Sequence, residues 1–157
     1  MLFRSNDYVE RFVENVGRGR IITASSIMKT KPVVARLKKE GPEAIIRKMR
    51  EKNLFVLPVV GTDGQFLGEV SLKDVVNLRK QGIKEIDSVV TSEVPSVLES
   101  TTVEDMLTLL PKIKQVIPVV SDSNKLLGVV SPSSIIIEMT GKDQKEINQI
   151  IQNAIDL

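Results

Sequence analysis

Apolar residues change their spacing several times along the chain, and each change marks an element. In residues 6–16, "NDYVERFVENV", Tyr8, Val9, Phe12, Val13 and Val16 share one helical face, and "GRG" predicts its end. A short apolar segment, Val33 to Ala35, precedes helical spacing at Ala44, Ile45 and Met49. Two runs of strand length follow, "FVLPVV" and "FLGEVS", joined by "GTDG", which is a turn by composition. A helix then opens at Ser71. The same order returns further on: Val97 and Leu98, helical spacing at Val103, Met106, Leu107 and Leu110, two more apolar runs, and a helix opening at Ser131. Residues 143–155 close the chain with Ile147, Ile150, Ile151, Ala154 and Ile155 on one helical face.

The recurrence is a repeat. Shifting the sequence by 60 residues superimposes "LPVVGTDGQFLGEVSLKDVV" on "IPVVSDSNKLLGVVSPSSII" without a gap. Upstream, "SSIMK" meets "DSVVT" at a shift of 62, so the first copy carries two extra residues in the loop around Lys38 to Pro42. The organisation expected is a linker helix in 1–20, one repeat in 21–82, a second in 83–141 and an amphipathic helix in 142–157. Each repeat reads β-α-β-β-α. Strands so short, with helices on one side, cannot bury both faces alone, so an α/β (α+β) pair packed about a pseudo-two-fold axis is the smallest stable object. The two flanking helices need surfaces to cover, on the pair itself or, for the first, on something outside it. Met28 and Met49 read as gap-fillers in the core.

The 157 residues include no Cys, His or Trp. Thiolate and imidazole nucleophiles, disulfides, and metal sites that depend on those ligands are thereby excluded. No apolar run approaches the roughly 20 residues of a membrane span, and "MLFRSNDYVERF" lacks the layout of a secretory signal, so a cytoplasmic location is expected. A net charge of +2 with four Phe and one Tyr argues against nucleic acid as a partner. The distribution of charge is more informative. Up to Gly82 there are 16 Lys/Arg against 9 Asp/Glu, a net of +7, and beyond it 6 against 11, a net of −5. Such asymmetry belongs either to two separately solvated surfaces or to a salt-sensitive contact with a partner or an anionic membrane surface.

A doubled unit with an apolar-Pro-Val-Val strand and a Gly-x-x-Ser strand-to-helix turn resembles the CBS domain pair known as a Bateman module, over about 120 of the residues. "NDYVERFV" followed by "ITASSIMK" is similar to the junction between ATPase domain and CBS pair in the ATP-binding subunit of osmoprotectant ABC importers for glycine betaine, proline or carnitine. The resemblance implies a regulatory region peripheral to the inner face of the membrane. Its implied partners are an ABC ATPase domain and a transmembrane permease; a homodimer through the repeat helices is expected separately, because exposed apolar helix faces in so small a unit need covering. No G-x-x-x-x-G-K-[ST] loop and no catalytic constellation occur, so the chain itself is not expected to be an enzyme.

The candidate site starts at Ser71. A helix N-terminus presents unpaired N–H groups and partial positive charge, which suit phosphate, and serine adds a hydroxyl. Ser-x-x-Asp is equally a near capping box that closes the helix start without any ligand. The family resemblance implies that Ser71 serves phosphate and Asp74 accepts from ribose hydroxyls. In the second copy Ser131 keeps the helix start while Ser134 replaces the acid, so the resemblance places the nucleotide site in the first copy. By the same analogy Val33, Val34, Pro58 and Val59 wall an adenine ring, with Val97, Pro118, Val119 and Ser131 as the weaker second set. All the valines and prolines are core candidates as well. The ligands implied are cyclic di-AMP, AMP or ATP. Three functions compete: a sensor of adenine nucleotide or ionic strength that gates a transporter, a ligand-free dimerisation element, and the regulatory pair of a nucleotide-metabolising enzyme.

Overall fold

The computed structural model describes residues 21–141 and 144–156. The helix expected over residues 6–16 lies outside them. The first repeat contains β1 (Ala35–Arg36), α2 (Pro42–Lys52), β2 (Val56–Val60), β3 (Phe66–Ser71) and α3 (Leu72–Lys80), preceded by one turn of helix, α1 (Ala24–Ile27). The second contains β4 (Val97–Leu98), α4 (Val103–Leu107), β5 (Ile117–Val120), β6 (Leu126–Val130) and α5 (Pro132–Thr140). The β-α-β-β-α order is thus as the spacing predicts. A last helix, α6 (Gln144–Ile155), follows; on it Ile150 is 49% and Ile155 70% exposed, so its apolar positions are not all covered.

Each repeat builds a three-stranded mixed sheet in which the middle strand pairs parallel with the first and antiparallel with the third. All four residues of β5 and four of the five in β2 are buried, the pattern of strands covered on both faces. In the first repeat Ile45, Ile46 and Met49 of α2 meet Leu57, Val59 and Val75; in the second Met106, Ile117, Val119 and Ile135 do the same. The second repeat's first helix is the shorter. Helical spacing predicts it through Leu110, but α4 stops at Leu107 and Leu110 opens a 3-10 turn. Pro111 has no N–H to give back to Leu107, which ends the α-helical ladder there.

The repeats exchange their leading segments. Ala24 is buried in the second core, beside Val97 and Val130, and Ile86 is buried in the first, beside Val59 and Val70. Lys29 forms an antiparallel bridge with Val129 of β6, and Thr91 forms one with Glu69 of β3. These crossings explain the glycine of each Gly-x-x-Ser turn. A Cβ on Gly128 would stand 2.5 Å from the Lys29 carbonyl oxygen, and one on Gly68 would collide with the Thr91 carbonyl. Gly68 also has φ +137°, where L side chains are strained. The hairpin tips complete the union: Phe66 N–H donates to the Asn124 carbonyl at 2.8 Å, and Leu126 N–H to the Gly64 carbonyl at 3.0 Å.

Candidate functional site

The exchange of segments creates a cleft between the sheets. A cavity of about 340 Å³ is lined by Ile27, Lys29, Pro32 and Val33 of the leading segment and by Leu54, Val56, Leu57 and Pro58 entering β2. From the second repeat come Gln115, Val116, Val129, Ser131 and Ser134. The size and largely apolar wall suit a small planar ligand, and the polar groups are few. Gln115 ties the repeats together at the cavity's edge, where its Oε1 accepts from Phe55 N–H at 3.2 Å and Val56 N–H at 3.0 Å.

The polar end of the cavity is the start of α5. Ser131 is its N-cap, accepting from Ser134 N–H at 3.2 Å, and its hydroxyl lies 2.9 Å from that of Ser134. Pro132 at the first position fixes the helical φ in advance. Lys29 supplies a cation to the same cavity from an exposed position on the leading segment. Apolar walls, hydroxyls at a helix N-terminus and an ammonium group together suit a planar base carrying phosphate.

The structure distributes the predicted residues unevenly. Val33 and Pro58 line the cavity with Ser131. Val34, Val59, Val97 and Val119 are buried core side chains, and Pro118 is buried in β5. Ser71 and Asp74 do not join the wall expected to accompany them, because the pseudo-two-fold axis faces each leading segment with the other repeat's helix start. Ser71 caps α3, accepting from Asp74 N–H at 3.2 Å, so the capping geometry is present. Lys29, Gln115 and Val129 are cavity residues that sequence reasoning missed. The "SSIMK"/"DSVVT" match was the available signal for Lys29, since it marks the leading segment as part of the repeat.

The corresponding positions across the axis are charged. The 60-residue shift places Glu69 where Val129 lines the cavity, and Lys114 where Leu54 does. Glu69 is only 6% exposed and its Oε2 has no hydrogen-bond partner. Burial pushes its carboxyl above the ordinary range, and the Lys114 ammonium opposes part of that rise. Away from the cleft, Lys38 in the longer loop of the first repeat adopts φ 66° and its Nζ meets Asp87 Oδ1 at 2.7 Å. That hydrogen bond raises the lysine's pKa and lowers the aspartate's.

The model of the CBS domain family matches residues 24–80 and 83–141. The chain belongs to the CBS domain family. As a tandem CBS pair it resembles the C-terminal region of transporter ATP-binding proteins. It is 27% identical over 140 residues to the glycine betaine/carnitine transport ATP-binding protein GbuA of Listeria monocytogenes serotype 1/2a (strain 10403S), covering 88% of this chain and 34% of that protein. The pair therefore spans about a third of the length of that curated relative. Among solved structures, Staphylococcus aureus OpuCA matches with a TM-score of 0.60 and 19% identity, over 68% of this chain and 91% of that one. CBSX2 in complex with AMP matches with a TM-score of 0.62 and 22% identity, over 73% and 93% respectively. At these identities the two structures establish the fold of the CBS pair. No helix among the described residues is long and apolar enough to cross a membrane.

Proposed function

We propose that this CBS pair is the regulatory sensor of an osmoprotectant ABC importer of the glycine betaine/proline type, and that it binds an adenine nucleotide in the cleft between its repeats. The observation that carries this reading is the cavity itself, with Pro32, Val33 and Pro58 as a wall for the base and Lys29 with the α5 start as a seat for phosphate. GbuA, the relative named above, supports the transporter host. In that setting the chain works on the cytoplasmic side, joined to an ABC ATPase domain and, through it, to a transmembrane permease. A second copy of the chain completes a dimer, a reading supported by Phe55 and Ile136, which are 62% and 38% exposed beside α3 and on α5.

Thermal unfolding with AMP, ATP and cyclic di-AMP tests the ligand. At a hundred times its dissociation constant a ligand stabilises the fold by about 2.7 kcal/mol. For a chain of this size that is a rise of about 5 to 11 °C in Tm. Lys29→Ala removes the cation without touching the backbone bridge to Val129, and loss of a charge-assisted hydrogen bond weakens binding by about 1.5 to 3 kcal/mol. A shift lost in Lys29→Ala assigns the ligand to the cavity. One lost instead in Asp74→Ala assigns it to the α3 start. No shift with any of the three would sink nucleotide sensing and leave the ligand-free dimerisation element.

A further inference from the structure

We propose, building on the nucleotide reading above, that Gln115 is a specificity-determining residue of the cleft: one end of its carboxamide holds the two repeats together, and the other donates to a phosphate oxygen of the ligand. The orientation of the group is fixed by its partners. Oε1 accepts from Phe55 N–H at 3.2 Å and from Val56 N–H at 3.0 Å, and only the oxygen of a carboxamide can accept. Both lone pairs of that oxygen are thereby used. The nitrogen, with two N–H groups, makes no hydrogen bond among the described residues. Since Gln115 lines the cavity, unfilled donor capacity stands at its wall.

The sheet register says what that donor faces. Strands β5 and β6 run antiparallel with Ile117 opposite Val130. Continued two residues further, the same register brings Gln115 level with Pro132, the first residue of α5. Gln115 therefore stands at the end of the cavity where Ser131 caps the helix, and Lys29, bridged to Val129, shares that cavity. Among the described residues that line it, none is Asp or Glu. A seat with one cation, hydroxyls and a spare amide donor, and no carboxylate, suits a group that only accepts, as a phosphate does. The matched position in the first repeat is Phe55, so the carboxamide serves one cleft of the pair. Donation to an anion polarises the amide and strengthens the bonds its oxygen accepts, which links ligand binding to the tie between repeats.

Gln115→Glu tests the donor, because it keeps an oxygen for both backbone N–H groups and puts a carboxylate oxygen where the N–H groups were. Calorimetry on the full chain compares AMP with adenosine, which lacks the phosphate. The variant is expected to melt unliganded close to wild type, to lose AMP affinity by at least about thirtyfold and to change adenosine affinity by less than about threefold. Gln115→Met, uncharged and of similar reach, is expected to lose about tenfold for AMP. In wild type, AMP is expected to slow hydrogen exchange at the Phe55 and Val56 amides, and in Gln115→Met it should not. Should Gln115→Glu melt early, Gln115→Met and the exchange measurement decide. Unchanged AMP binding in both variants overturns the proposal and leaves Gln115 a tie between repeats. Equal losses for AMP and adenosine overturn it as well, since they place the contact on the nucleoside, and so does exchange at Val56 that ignores AMP. A wild-type chain that binds neither probe removes the adenine-nucleotide reading and this role together, whereas wild-type binding retained in the variants removes this role alone.

Discussion

In the first repeat Val59 pairs with Ala35 on one side and Gly68 on the other; in the second Val119 pairs with Val97 and Gly128 in the same register. The ladder shifts at the same step in both, between Val59 and Val60 and between Val119 and Val120. Both final helices are capped by a serine. The repeats part company where side chains meet something other than their own core: Leu54 against Lys114, Phe55 against Gln115, Glu69 against Val129, Asp74 against Ser134 and Val76 against Ile136. The strand register and the serine caps are duplicated, while the substitutions fall at positions that line clefts and outer faces. A repeat pair built in this way has one scaffold and two unlike surfaces.

The comparison can be broken at its common part first. Leu57→Ala and Ile117→Ala each remove a fully buried side chain from matched strands, and each is expected to cost about 2 to 5 kcal/mol in urea unfolding. Similar losses monitored in either repeat support one shared scaffold, whereas a loss confined to one variant breaks the equivalence. Gly68→Ala is expected to cost about 3 kcal/mol, since it meets both the Thr91 carbonyl and a left-handed φ, and Gly128→Ala less, since it meets the Lys29 carbonyl and the Met28 side chain without a left-handed φ. Crowding and backbone conformation both rank Gly68 as the costlier site, so the reverse order would overturn both as the source of the cost.

Glu69→Val copies Val129 into the first repeat and removes a buried carboxyl whose Oε2 has no hydrogen-bond partner. It is expected to stabilise the chain by about 1 to 3 kcal/mol at neutral pH. Glu69 has a raised pKa in the fold, so the protonated form is the one the fold prefers. Its favourable contribution is full below the ordinary value of 4.5 and is lost as pH rises through the folded value. The advantage of Glu69→Val should therefore grow as pH rises from 4 to neutrality; urea midpoints across that range that differ by a constant amount would remove the titration argument. The smallest effect belongs to the caps: Ser71→Ala and Ser131→Ala should each lose about 1 kcal/mol by the same measurement.

The elements were legible because each obeys a local rule. Val56–Val60 and Phe66–Ser71 are apolar runs bounded by turn residues, and Ser71 and Ser131 open helices by capping chemistry. The site was legible only in part. A 60-residue shift reveals which positions are equivalent but not which copy each one faces, since a two-fold axis can pair like with like or exchange them. Val33 and Pro58 were therefore grouped with Ser71, whereas the structure seats them with Ser131. Glu69 carried no distinguishing mark in the sequence, because its burial follows from the approach of Thr91, twenty-two residues away along the chain.

The exchanged leading segment also sets how force travels through the molecule. The chain that enters at Ile21 first engages the second repeat, through Ala24 in its core and Lys29 on the edge of β6, and only afterwards reaches β1. The first attachments that a pull or twist from upstream would meet therefore belong to the second repeat. The stretch that bears the load, Ile27 to Val33, is one wall of the cavity. Whatever fills that cavity therefore rests directly on the tether.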